Sequence, residues 1–135
     1  MAQHRSLKET NKYYVPREEF LTALHYCRQY PAWVAELKAL PDSGKGIDTE
    51  KEHVQTSNSF DPVSSLAIRR AGIAKKKRIV DETVHEVAQG LDDWLILSVC
   101  FGYTYRQLDA RKIPCSRGTF YSIRRRFYFE LSKKI

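Results

Sequence analysis

At 135 residues and a net charge of +7, the chain can bury one core or two small helical lobes but cannot house a large catalytic architecture. Its 8 Tyr, 6 Phe and 2 Trp are too many for a disordered chain, and its longest apolar stretch, residues 94–101, falls far short of the ~18 to 20 residues of a membrane span. The charge is segregated: residues 104–135 carry nine basic and two acidic side chains, whereas the first 103 residues carry 14 of each.

In chain order, residues 1–15 read as a flexible tail without the apolar segment of a secretory signal. Pro16 suits the first turn of a helix, where its missing N–H has no partner to lose. Phe20, Leu24 and Cys27, with Leu21 beside them, then recur at helical spacing up to Tyr30. Pro31 breaks that helix and opens a second, with Trp33, Val34, Leu37 and Leu40 on one side. Residues 16–40 are therefore expected to form a helical hairpin. Residues 41–60 turn polar and lose periodicity, as a linker between two lobes does.

Asp61 and Pro62 give an N-cap and a first-turn proline. Leu66, Ile73, Val80 and Val87 then repeat every seven residues, with Val63 and Val84 at the intervening offsets, so a helix of roughly 25 residues is expected to end near Gly90. Its seam has two readings, a coiled-coil dimer stripe or a face packed on the hairpin. The run Lys75, Lys76, Lys77 and Arg78, answered by Asp81, Glu82 and Glu86, reads as a solvated face. Asp92 and Asp93 favour the start of a fourth helix, Trp94 to Phe101, apolar nearly all round and ended by Gly102.

The remaining segment carries the functional reading. Thr104 caps a short helix with Tyr105 and Leu108 inward, residues 113–115 form an apolar turn that cannot stay helical through Pro114, and Ser116 caps the last helix. On a 3.6-residue period Phe120, Ile123, Phe127 and Leu131 form its buried stripe. Gly118, Tyr121, Ser122 and Arg125 then point outward, flanked by Arg117, Thr119 and Arg126. Small, polar and guanidinium groups on the first two turns of a capped helix suit entry into a DNA major groove. Arg117 and Arg125 are candidates for guanine edges, Thr119, Tyr121 and Ser122 for methyl groups or base edges, and Gly118 for close approach to DNA or to the preceding helix. Arg106, Gln107, Lys112, Arg124, Arg126 and Lys133 are candidates for phosphates. Phe129 is an aromatic on the outward face, which should be covered by the hairpin or by a second subunit.

The spacing from Thr104 to Leu131 resembles the helix-turn-helix of sigma-factor region 4, with a turn one residue longer. The run Ile113-Pro-Cys-Ser-Arg, then Phe120-Tyr121 and Arg125-Arg126-Phe127-Tyr128, together with Val54-Gln55-Thr56-Ser57, more closely resembles the ArpU/RinA-like phage regulators of Firmicutes, over roughly residues 50–135. Members are described as transcriptional activators of late or packaging genes. The resemblance implies that Arg117, Gly118, Tyr121 and Ser122 face bases.

The expected architecture is thus all-α, with an N-terminal hairpin, a polar linker and, over residues 61–135, a long helix leading into a helix-turn-helix lobe. The expected function is a sequence-specific regulator of phage or prophage origin that binds double-stranded DNA through a recognition helix at about residues 117–133, in the cytoplasm and nucleoid of a bacterial host. Alternatives are a DNA-packaging protein akin to a small terminase subunit, for which a ring-sized mass in solution is the mark, and an adaptor binding an acidic surface of RNA polymerase. A homodimer reading two half-sites is a further expectation. Cys27, Cys100 and Cys115 lie far apart and His4, His25, His53 and His85 lack ligand spacing, so neither a metal site nor a disulfide framework is expected, and buried thiols suit a reducing compartment. The residues offer no catalytic set, so neither enzymatic activity nor a cofactor is expected.

Overall fold

The structure is a computed structural model that describes residues 11–39 and 62–135, the side chains of Pro62 and Val63 excepted. The first ten residues, Leu40, the linker 41–60 with its Val54–Ser57 element, and the cap expected at Asp61 lie outside the described residues. The architecture is all-α, and no strand occurs among the described residues. The described residues form six helices in order: α1 (Arg17–Arg28), α2 (Tyr30–Ala39), α3 (Pro62–Val87), α4 (Asp92–Val99), α5 (Tyr105–Ala110) and α6 (Arg117–Lys134).

Pro16 sits one position earlier than expected, as the N-cap of α1 at φ −56° and ψ 149°. Its ring fixes an extended entry, and its carbonyl accepts the first helical hydrogen bond from Phe20 N at 2.9 Å. Glu18 and Glu19 in the first turn, with His25 and Arg28 in the last, complement the helix dipole. Phe20, Ala23 and Cys27 form the buried face. A single residue, Gln29, separates α1 from α2, and edge-on contacts of Trp33 with Tyr26 and Tyr30, at 5.1 and 6.3 Å between centroids, hold the corner.

The long helix α3 is the spine. Ile73, Val80, Val84 and Val87 are buried and Leu66 is half-buried. Within the chain α3 packs against α2, α6 and α4, and three of the four seam residues, Ile73, Val80 and Val87, are covered there. Polar ties fix the hairpin on this spine: Tyr30 Oη donates to Asp81 at 2.7 Å, Arg70 Nη1 donates to the Leu37 carbonyl at 2.9 Å, and Arg69 pairs with Glu36. Burial and the Asp81 bond both push the Tyr30 hydroxyl pKa up. After α3, Gln89 and Gly90 take φ of 54° and 89° in succession, reversing the chain within two residues.

The α4 helix begins two residues before the expected Trp94, because Asp92 and Asp93 themselves make its first turn. Its Leu95, Ser98 and Val99 are buried, while Trp94, Ile96 and Leu97 are half-buried. Gly102, at φ 80°, ends the segment. Cys100 meets Cys27 of α1 in the interior, where that contact and burial raise its thiol pKa.

The largest departure from expectation is the place of the hairpin. It does not form a separate lobe. Phe20 of α1 meets Tyr128 of α6 edge-on at 4.9 Å, and one core cluster runs from Phe20, Ala23 and Trp33 through Val80 and Leu95 to Phe127 and Leu131. The helix-turn-helix is therefore built on a platform to which α1 and α2 contribute. No described helix is long and apolar enough to cross a membrane.

Candidate nucleic-acid interface

Local chemistry sets the first helix of the pair. Thr104, extended at φ −81° and ψ 163°, accepts a hydrogen bond from Gln107 N, and the Gln107 side chain accepts one from Thr104 N at 2.8 Å. This reciprocal box satisfies two donors that a helix N-terminus otherwise leaves open. Leu108 is fully buried. Tyr105 is half-buried; its ring tilts against Phe120 and Tyr121 at 5.9 and 6.4 Å, and its hydroxyl donates to the Cys115 carbonyl at 2.7 Å. That bond straps the end of the turn to the start of α5. Loss of water around Tyr105 and the nearby Asp109 raise its hydroxyl pKa.

The turn spans residues 111–116. Lys112 carries it through φ 69°, and buried Ile113 donates its N–H to the Leu108 carbonyl at 3.1 Å. Ser116, again extended, caps α6 by accepting from Thr119 N at 3.2 Å. Both caps stand where the sequence placed them.

The faces of α6 follow. Phe120, Ile123, Phe127 and Leu131 are buried as expected, joined by Arg124 and Tyr128. Arg117, Gly118, Thr119, Ser122, Arg125 and Arg126 are exposed, and Tyr121 is half-buried. Arg106, Gln107, Lys112 and Lys133 are exposed as well. The structure thus brings five of the six expected base-facing residues to the exposed surface of one helix, with Tyr121 at its margin against Tyr105 and Phe120, and Arg106 and Lys112 on the elements just before it. Gly118 faces open space, since a Cβ built there meets nothing within 4 Å. Close packing on the preceding helix is therefore not its role, and a notch on the outward surface remains.

Arg124 is the exception and corrects the expected phosphate set. Only 7% of its surface is exposed, and its guanidinium carbon stands 5.9 Å from the Tyr121 ring and 5.5 Å from the Tyr128 ring. Its Nε meets no acceptor among the described residues. The reason lies in the width of the buried face: α6 is packed by both α1 and α3, so its stripe exceeds the ~100° of a one-sided amphipathic helix, and residue 124, about 40° from residue 120 on the helical wheel, falls inside it. An arginine there packs its stem and its flat cation on aromatic rings. It cannot reach a phosphate without leaving the core.

Among the described residues, Arg106, Lys112, Arg117, Arg125 and Arg126 have no acidic partner. Arg117 lies over the Tyr121 ring at 5.7 Å, which orients it without neutralising it. One residue that the sequence reading passed over joins them: Arg111, exposed at the head of the turn, lies 4.9 Å from the Tyr103 ring and donates to its hydroxyl at 3.1 Å. The signal for it was available in its adjacency to Lys112. Lys134, by contrast, is bound to Glu86 of α3 at 2.9 Å.

Phe129 has the cover that its position demanded, though from an unexpected source. Tyr13, in the segment expected to be tail, meets it edge-on at 5.4 Å. Comparison with family models, with curated proteins and with solved structures finds no match.

Proposed function

We propose that the protein is a sequence-specific regulator that binds double-stranded DNA with α6 in the major groove. One observation carries this reading: a doubly capped helix-turn-helix presents Arg117, Gly118, Thr119, Ser122, Arg125 and Arg126 together on an outward face with no acidic partner among the described residues. Phosphate is the counter-charge such a face suits, and the polar groups between the guanidinium groups supply base-edge contacts. In this reading Arg125 and Arg117 meet guanine edges, Tyr121 and Ser122 contact bases beside them, and Arg106, Arg111, Lys112 and Arg126 hold the backbone. The phage or prophage setting, late-gene activation and a host cytoplasm rest on the resemblance to ArpU/RinA-like regulators. A dimer on two half-sites requires a surface other than Ile73, Val80 and Val87 of the α3 seam, which are covered within the chain.

Selection from random duplexes at defined salt, followed by salt titration of the winning site, tests the proposal. Expected is one enriched motif, with log affinity falling linearly in log salt at about −0.9 per phosphate neutralised. A flat salt dependence, or enrichment of no motif, overturns it.

A further inference from the structure

The C-terminal half of α6 carries an arrangement that the base-reading face does not use. Phe129 lies on the outward side about one turn beyond Arg125 and Arg126, and Tyr13 covers it edge-on, with the ring planes at 70°. Two ammonium groups bracket this aromatic pair. Lys133 Nζ stands 4.3 Å from the centre of the Phe129 ring and Lys12 Nζ stands 5.3 Å from the centre of the Tyr13 ring, and both lysines are exposed. The segment bearing Tyr13 is a local turn tied to the core at one end: Asn11 accepts from Tyr13 N through its side chain at 2.8 Å and from Tyr14 N through its carbonyl at 3.0 Å, and Val15 packs against the core.

This arrangement constrains docking. Phe129 is about 10 Å along the helix axis from Ser122, at 1.5 Å per residue, and a major groove is about 12 Å wide. With Tyr13 seated on its outward face, the second half of α6 cannot lie lengthwise on the groove floor. The helix must enter by its first two turns. The aromatic pair then stands at the groove edge, where the phosphates are, with one ammonium group beside each ring. Among the described residues, Glu130, 3.7 Å from Lys133, is the carboxylate paired with these lysines, and one carboxylate leaves the two ammonium groups with a net positive charge.

Resting on the DNA reading above, we propose that Lys12 and Lys133, set around Tyr13 and Phe129, form a second phosphate clamp that seats the sugar-phosphate backbone at the groove edge and confines base contacts to residues 117–126. The segment before α1 is in this view part of the binding surface.

The test uses the full chain, its selected duplex, salt titration and phosphate-ethylation interference. In the double variant Lys12→Ala/Lys133→Ala the salt slope should fall by about 1.8, at about 0.9 per lysine-phosphate contact, with the preferred sequence unchanged. Ethylation of the phosphates at one edge of the site should weaken the wild type and leave the variant indifferent. Tyr13→Ala should lower the slope by about one unit, because Lys12 loses its support. If the alanine variant loses helicity, Lys12→Gln/Lys133→Gln keeps the stems and gives the same readout. A wild type that binds with its slope and ethylation pattern unaltered in either double variant overturns the clamp alone. A wild type without salt-dependent binding overturns the clamp together with the DNA reading.

Discussion

Two basic runs of similar composition, Lys75–Arg78 on α3 and Arg124–Arg126 on α6, end in different surroundings. On α3, Lys77 donates to Asp81 at 2.7 Å and lies 5.3 Å from the Tyr30 ring, and Glu82 and Glu86 follow within the same helix. On α6 the run divides: Arg124 is buried between Tyr121 and Tyr128, while Arg125 and Arg126 face outward without an acidic partner among the described residues. A count of positive charges does not separate the two. What separates them is the company each side chain keeps, and five measurements test that contrast.

The largest effect belongs to the packing that divides the α6 run. Phe127 is fully buried, so Phe127→Ala should cost about 3–5 kcal/mol, read as a fall in the urea midpoint. A cost below about 1 kcal/mol would show that this face is not core. The paired variants Arg124→Ala and Arg125→Ala come next. Arg124→Ala should lower stability by about 1–3 kcal/mol through lost packing. Arg125→Ala should change stability by less than about 0.5 kcal/mol but weaken binding to the preferred duplex by about 1–3 kcal/mol, or about 5- to 150-fold. Equal stability of the two variants would erase the distinction between neighbours.

Gly118→Ala should move two quantities in opposite directions. With open space around the new methyl group, helix stability should rise by about 0.5–1 kcal/mol, while affinity for the selected duplex falls because the notch is filled. A gain in both would remove Gly118 from the contact surface.

A smaller, distributed effect concerns alkaline pH. The hydroxyls of Tyr30 and Tyr128 are raised above the ordinary 10.0, and the thiol of Cys100 above 9.0, in the first two mainly by burial and in the last by the Cys27 contact and burial. The unfolded chain therefore loses these protons first. Their contribution is fully present below about pH 9 and declines as pH rises beyond it, so urea midpoints should agree at about pH 7 and 8.5 and drop at about pH 10.5. An unchanged midpoint at the highest pH would mean that these groups ionise freely in the fold. The smallest change is expected for Lys75→Ser/Lys76→Ser/Arg78→Ser on α3, whose salt slope on the selected duplex should stay within about 0.5 of wild type. A fall of two units or more would place the α3 run on DNA as well.

Much of the candidate interface was legible because its determinants are short-range. Thr104 and Ser116 cap within three residues, Pro114 forbids a continuous helix, and the spacing of Phe120, Ile123, Phe127 and Leu131 orients the outward side chains within one element. Ala23 was passed over for the opposite reason: a methyl group gives little periodic signal, yet the close contact of α1 in the interior leaves it fully buried. Tyr13 was assigned to a tail because the partner that fixes it, Phe129, is more than a hundred residues away in sequence.

Helical periodicity, the caps at Thr104 and Ser116 and the confinement of net charge to the last 32 residues are written in the chain itself, since each depends on neighbours within a turn or two. Long-range packing alone settles that Ile73, Val80 and Val87 of the seam are covered from within the chain, that the hairpin shares one core with the helix-turn-helix, and that Arg124 is buried while Arg125 is not. A helical period states that a face is apolar, but not how many neighbours will cover it. Here α1 and α3 together widen the buried arc of α6 beyond what its own apolar residues mark, and that added width separates two adjacent arginines.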